Sequence, residues 1–372
     1  MTMPTTSNHA RRRLARLRLA AQILSSASAG NAADAVRSML AMQAQDEPGV
    51  RWSVGLRTAG ATETDVQAAF DAGEIVRSWP LRGTLHLVAS EDLHWMLALT
   101  RERAIASAAA RRHVLGITPA DVERAREIAI EVLPGRTALS RAALLTAISQ
   151  GGVSTLGQRG YHLLWYLAQT GTLVLGPTYG RRQIFARLDA WVPNPRRLER
   201  DEALGELAVR YFRSHGPAGV EDLARWSGLT LRDVRTGIAV GGTALAALEI
   251  DGRGYIVAAE AADTPERPDG VRLLPGFDEY VLGYRDRSIV LAPEHSEAIV
   301  PGGNGMFKAT IVADGEVIGT WGRRVGGLGV IVEATPFAGL SASEVEALSA
   351  AAEGYGRFLG RTATTKVGGA QS

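Results

Sequence analysis

The sequence predicts an α+β protein of three tandem winged-helix (helix-turn-helix) units followed by a C-terminal β-barrel-like domain. Two observations carry that expectation. Three times along the chain, apolar residues at helical spacing give way to two short strand-like runs around a turn. Beyond about Val271 the texture becomes β, with short apolar runs punctuated by glycine. A length of 372 residues holds roughly two to four domains.

The first unit, 1–90, opens with Leu14, Leu17, Ala21 and Leu24 at helical spacing. Asn31 can cap a second helix running through Met42, and Thr62 a third through Ala72. Ile75 to Trp79 and Thr84 to Val88 then read as a wing around Pro80-Leu81-Arg82-Gly83. The second unit, 91–192, has helices expected at 91–114, 119–132, 140–150 and 157–170, with strands Thr172 to Leu175 and Gln183 to Ala186 around Gly176-Pro177-Thr178-Tyr179-Gly180. After Val192-Pro193-Asn194-Pro195, a third unit over 196–262 repeats the pattern with helices at 199–214, 219–227 and 230–240. Strands Ala246 to Ile250 and Tyr255 to Ala258 close it. The last segment, 270–372, should contain strands Met306 to Val312 and Val317 to Trp321 about Asp314-Gly315, another at Gly329 to Glu333, and a helix over 342–359.

Composition narrows the chemistry. The absence of cysteine removes disulfides, thiolate metal sites and thiol nucleophiles together. The seven histidines are scattered without metal-ligand spacing, so neither metal nor cofactor is expected. Residues 1–13 are polar and then basic, with no apolar stretch of signal-peptide or membrane-spanning length after them, which predicts a cytoplasmic protein with no membrane association. The net charge is only +2, yet the first 57 residues carry Arg11, Arg12, Arg13, Arg16, Arg18, Arg37, Arg51 and Arg57 against Asp34, Asp46 and Glu47. That reads either as a phosphate-contacting lobe or as a solvated helix face.

Gln43-Ala44-Gln45 is the most informative local feature. Val36, Met39 and Leu40 mark an apolar helical stripe whose next position is Gln43, so an amide points to the interior or a cleft. Two residues apart on a helix face different ways, so Gln43 and Gln45 share a cleft only if the helix stops near them, as Pro48 predicts. A hydrogen-bonded structural glutamine is the plainer reading. Arg82 falls at the wing tip as a phosphate candidate, and His86 falls on the following strand as a packed residue or a DNA contact. Gly326-Gly327-Leu328-Gly329 lacks the lysine and helix of a phosphate loop and reads as a turn.

Taken together, Met39-Leu40-Ala41-Met42-Gln43-Ala44-Gln45-Asp46, Arg82-Gly83-Thr84-Leu85-His86-Leu87-Val88, Leu273-Leu274-Pro275-Gly276-Phe277-Asp278 and Pro301-Gly302-Gly303-Asn304-Gly305 resemble the bacterial winged-helix DNA glycosylases of the AlkZ/YcaQ type over about residues 10–360. The resemblance implies a monofunctional enzyme that excises N7-alkylated purines from duplex DNA. In the AlkZ branch it also implies unhooking of interstrand crosslinks made by natural alkylating products, as self-resistance or repair. The family's catalytic signature maps onto Gln43 and Gln45; the second glutamine is similar to the AlkZ branch, whereas the YcaQ branch is expected to carry aspartate. A DNA-entering hairpin falls in the β-domain, with Asn304, Met306 and Lys308 or Arg323 and Arg324 as alternative tips, and Arg51, Arg57, Arg82 and His86 complete the expected DNA face. The resemblance implies no obligate protein partner. A non-catalytic winged-helix regulator, or a protein that sequesters the alkylating compound, would share much of the same sequence pattern.

Overall fold

The computed structural model describes residues 7–176, 183–261, 270–327 and 329–368. The fold is mixed α+β, and strands expected in the first and second units meet in one shared sheet. A six-stranded sheet runs in the order Ala41–Gln43, Thr84–Ala89, Ile75–Leu81, Leu173–Leu175, Ile184–Arg187, Ala138–Ser140. The first and second hairpins join in it through Arg77 opposite Leu175. The turn expected around Gly176 to Gly180 lies largely outside the described residues.

The region around Gln43 departs from the expectation. Asn31 does cap the second helix, accepting from the Asp34 amide at 2.8 Å, but that helix spans only Ala32–Met39. Leu40 then takes a positive φ of 67°, which a helix cannot continue through. Ala41–Gln43 form a strand, with Gln43 opposite His86. Pro48 does not stop a helix. It sits in the first turn of an unexpected one, Glu47–Arg57, where its missing N–H leaves no bond unmade.

Elsewhere the reading holds more closely. The third helical set, Arg200–His215, Val220–Ser227 and Leu231–Gly241, closes with the hairpin Leu245–Ile250 and Arg253–Ala258. The stretch expected as one helix over 91–114 is a short 3-10 turn followed by helices Leu93–Ser107 and Ala109–Val114. At the C-terminus a five-stranded sheet has the order Thr362–Val367, Gly329–Pro336, Glu316–Gly326, Thr310–Ala313, Val271–Leu274. Asp314 and Gly315 both have positive φ, 47° and 86°, as a tight hairpin turn with the right-handed strand twist requires. The strand expected from Met306 begins only at Thr310, leaving 304–309 as loop. The helix Ala342–Phe358 leads to an unexpected edge strand, Thr362–Val367, parallel to Gly329–Pro336.

The two ends of the chain share cores. Met39, Trp52 and Phe70 pack with Trp321, Val332 and Tyr355, while Leu14 and Leu19 pack with Leu274, Tyr280 and Val312. No helix among the described residues is long and apolar enough to cross a membrane.

Candidate active site

The strand Ala41–Gln43 explains how two glutamines separated by one residue come together. Alternate residues of an extended chain point to the same side, whereas the helix expected here would have turned them apart. Gln43 Nε2 donates to Gln45 Oε1 at 2.6 Å. Gln43 is buried and Gln45 is exposed, so the pair runs from the interior to the surface. Gln43 borders a notch of about 150 Å³ together with Arg82, Arg225, Trp226, Gly305 and Phe307.

Behind the pair lies a buried polar cluster. Arg82 Nη2 donates to Gln43 Oε1 at 2.9 Å, while its Nη1 donates to the Trp226 carbonyl. Glu279 Oε1 accepts the Gln43 backbone N–H at 2.7 Å, and its Oε2 accepts the Trp226 indole at 2.9 Å and lies 3.5 Å from His215 Nε2. Burial works against the Glu279 charge, but the hydrogen bond and charge of His215, with the Trp226 N–H, outweigh it and hold the carboxyl down at about 2. Its carboxylate offsets the Arg82 charge inside the cluster.

His86 is wholly buried behind Arg82. Burial first, then the Arg82 cation, pushes its imidazole down to about 4, so the ring is neutral at physiological pH. Its Nδ1 lies 2.8 Å from the Thr84 carbonyl, which can only accept, so Nδ1 carries the proton and Nε2 faces Arg82 Nη2 at 3.4 Å as an acceptor. The cluster fixes Gln43 through its backbone and both ends of its amide, while Gln45 keeps its own amide group at the surface.

Two residues expected on the DNA face do not lie on a surface. Arg57 is fully buried, its Nη1 and Nη2 each 3.0 Å from an Asp278 carboxylate oxygen, with Ser53 and Gln22 as further acceptors. His86 is equally enclosed, with the structural role just described. Both expectations are corrected: a phosphate cannot reach either side chain. Arg51 lines a cleft of about 490 Å³ with Arg323, Val325, Tyr355 and Arg361, but it is largely buried and bound to Glu47 and to Gln67 Oε1 at 2.7 Å.

The two candidate hairpin tips flank the glutamines. Asn304, Met306 and Lys308 are exposed on the loop whose Gly305 and Phe307 line the notch. Arg323 and Arg324 lie on the long hairpin Glu316–Gly326 and Gly329–Pro336, with Arg323 Nη2 4.0 Å from Asp46 Oδ2 and Arg324 paired to Glu333. Sequence reasoning missed Glu279, Trp226, His215 and Arg225. A signal for Glu279 existed, because it directly follows the Leu273 to Asp278 motif. Nothing local linked the other three to position 43. Among the described residues no three acidic or histidine side chains gather as metal ligands.

This α+β chain is a DNA glycosylase: the family described as "DNA glycosylase AlkZ-like" matches residues 36–358, and the chain belongs to it. Within that family it is similar to the "Interstrand DNA cross-link repair glycosylase" of Streptomyces sahachiroi, 29% identical over 321 residues that cover 82% of this chain and 85% of that protein. Its structure is similar to the solved Streptomyces sahachiroi DNA glycosylase AlkZ, with a TM-score of 0.79 and 26% identity across 98% of this chain and 100% of that one.

Proposed function

We propose that this DNA glycosylase hydrolyses the N-glycosidic bond of N7-alkylated purines in duplex DNA, unhooks interstrand crosslinks of natural alkylating products in self-resistance or repair, and uses Gln43 and Gln45 as its catalytic pair. The observation that carries the reading is the contact between these amides, of which Gln43 lines the notch and Gln45 is exposed. The similarity to the interstrand cross-link repair glycosylase of Streptomyces sahachiroi supports the crosslink.

Alkylation at N7 leaves the purine cationic, so it departs neutral and needs no general acid. What remains is to aim a water at the anomeric carbon and to face the developing sugar cation with oxygen dipoles. A glutamine oxygen does both, since it accepts from water and carries partial negative charge. The Arg82 and Glu279 contacts hold Gln43 in place before the reaction, so little reorganisation accompanies it. The helix Ala32–Met39 ends before Gln43, so the oxygens act without help from its C-terminal dipole. A notch of about 150 Å³ is well below the roughly 300–1,000 Å³ of ordinary ligand pockets. This favours attack on a base that stays outside, as one tethered to the opposite strand must.

The finer architecture belongs to the same reading: winged-helix units over 1–90, 91–192 and 196–262, a barrel-like domain over 270–372, and a concave face for duplex DNA in the cytoplasm. On that face Arg51, Arg82, Arg323, Arg324, Asn304, Met306 and Lys308 would meet the duplex. The test incubates the protein with N7-methylguanine duplex and with a crosslinked duplex, reading free base and alkali-labile sites. Gln43→Ala and Gln45→Ala should each slow single-turnover excision by about 2–4 kcal/mol of barrier, roughly 30- to 1,000-fold, with lesion binding nearly unchanged. Wild-type rates in both variants would make the amides structural.

A further inference from the structure

The notch adjoins a larger cleft of about 490 Å³, and the two share Arg225, Gly305 and Phe307 as lining residues. Arg287 also lines this cleft, stacked over the Phe307 ring at 4.7 Å from its centroid. Neither arginine is neutralised by a carboxylate within 4.0 Å among the described residues. Arg225 Nη1 donates to the Tyr284 carbonyl at 2.8 Å, and Arg287 Nε to the Val281 carbonyl at 3.2 Å. Carbonyls orient guanidinium groups without cancelling their charge. The cleft's acidic side chains keep their charge but are tied back by other donors, Asp286 by the Ser288 amide and hydroxyl at 2.9 and 2.6 Å with Arg253 4.0 Å away, and Glu297 by the Gly302 amide at 2.7 Å, while Arg285 adds a further cation to the lining. Burial, and then the Arg225 charge, lowers the Arg287 pKa, as expected of two like charges facing one cleft.

We propose that Arg225 and Arg287 form a phosphodiester-binding subsite beside the catalytic pair, which grips one backbone phosphate flanking the lesion and fixes the position of its sugar over Gln43 and Gln45. The planar guanidinium forks suit phosphate oxygens, and an anion between them relieves their mutual repulsion. Arg287 is the better ordered of the two, because the Phe307 ring and the Val281 carbonyl hold it from both sides. A phosphate in this position would set the register of the strand, since phosphate contacts position a duplex while base contacts specify it. The placement relative to the sugar rests on the proposed catalytic reading; the anion site does not.

Two measurements on the full-length protein decide it. The first is the salt dependence of binding to undamaged duplex. Arg225→Gln and Arg287→Gln keep a donor for their carbonyls, and each should lower the log–log slope by roughly 0.9, while Arg225→Lys and Arg287→Lys should retain most of it. An unchanged slope in a folded Arg225→Gln/Arg287→Gln double variant overturns the subsite. The second uses a duplex with 2′-fluoro N7-methylguanine, whose glycosidic bond resists cleavage, and replaces each flanking phosphate in turn with a neutral methylphosphonate. One position should cost the wild type affinity and cost the double variant nothing. No such position would overturn the register, and a position several nucleotides from the lesion would move the subsite away from the sugar. Titration with inorganic phosphate separates the sources: saturation at low millimolar concentration would assign the cleft to a free anion instead. If the slope changes as expected but no alkylated base is ever released, the subsite stands and the catalytic reading fails.

Discussion

Two sets of arginines in this protein look alike in sequence and behave oppositely in the fold. Of the eight in the first 57 residues, at least five face carboxylates. Arg11 meets Glu316 at 2.6 Å, Arg16 meets Asp314, Arg37 meets Asp34 and Glu91, Arg51 meets Glu47, and Arg57 meets Asp278, while Arg18 is enclosed away from the surface by the Pro217 carbonyl and the Tyr284 ring. Arg225 and Arg287, far apart in sequence, converge on one cleft and rest on carbonyl or aromatic acceptors. An arginine facing a carboxylate is electrically closed, whereas one held by a carbonyl keeps its field. Much of the basic lobe at the N-terminus is therefore scaffold, with Arg11 and Arg16 clamping the first helix to the C-terminal hairpin, and the proposed DNA face draws mostly on other arginines.

The comparison breaks hardest at Arg57. Its ion pair with Asp278 is buried on both sides, so Arg57→Ala leaves a carboxylate stranded away from water. Removing one partner of such a pair costs about 3–5 kcal/mol. Urea unfolding should show that loss in midpoint with little change in slope. A variant as stable as wild type but weakened in DNA binding would return Arg57 to the DNA face.

The sequence disclosed helices and hairpins well where periodicity was local. Asp314-Gly315, the caps Asn31 and Thr62, and the third helical set needed no distant information. It misled around Gln43, because Val36, Met39 and Leu40 continue a helical stripe up to a residue whose positive φ ends the helix. The short strand that follows is stabilised by pairing with Thr84–Ala89, some 40 residues on, and its own three residues carry no strand signature. Gln43 and Gln45 were still legible as a pair because a polar amide on an apolar stripe is conspicuous in either geometry. Glu279, Trp226 and Arg225 were not, since only the tertiary fold brings them to position 43. The arginine lobe misled for a related reason: composition counts charges but cannot see their acceptors.

His86 gives the next effect. Its pKa falls from the ordinary 6.5 to about 4 in the fold, so the unfolded chain binds more protons as the pH drops. The stability this contributes is complete above 6.5 and is lost as the pH falls toward 4, amounting to about 2–3 kcal/mol by pH 4.5. Glu279, also held below its ordinary value, adds its own loss only below about 4.5. Stability measured between pH 7 and 4.5 should therefore fall less steeply in His86→Gln than in the wild type. Parallel curves would mean that His86 is not held neutral.

Arg82 sits on the boundary between the two sets, since it touches Gln43 yet opens to the notch. If its main role is to hold the amide, Arg82→Lys, which keeps the charge but loses the fork, should forfeit a charge-assisted hydrogen bond of about 1.5–3 kcal/mol. That appears as a roughly 10- to 100-fold slower single-turnover rate with undamaged-duplex affinity almost unchanged. A normal rate with weakened, less salt-dependent binding would class Arg82 with Arg225 and Arg287.

The smallest effect tests the scaffold side of the comparison. Arg16 grips Asp314 with two parallel bonds of 2.9 and 2.7 Å across the first helix and the C-terminal hairpin, but both side chains remain partly open to solvent. Water and salt screen such a pair, and its two long side chains lose rotamer freedom to form it, so exposed pairs of this kind are worth only about 0.2–1 kcal/mol. The paired geometry argues for the upper part of that range. Arg16→Ala and Asp314→Ala should thus each lower stability by less than about 1 kcal/mol, the double variant should lose less than their sum, and the deficit should shrink at high salt. Duplex binding should keep its wild-type salt slope in Arg16→Ala, because a guanidinium already committed to a carboxylate releases no counterion from DNA. A slope lowered by about 0.9 would show that Arg16 leaves Asp314 for a phosphate when DNA arrives, and the N-terminal lobe would regain a share of the DNA face.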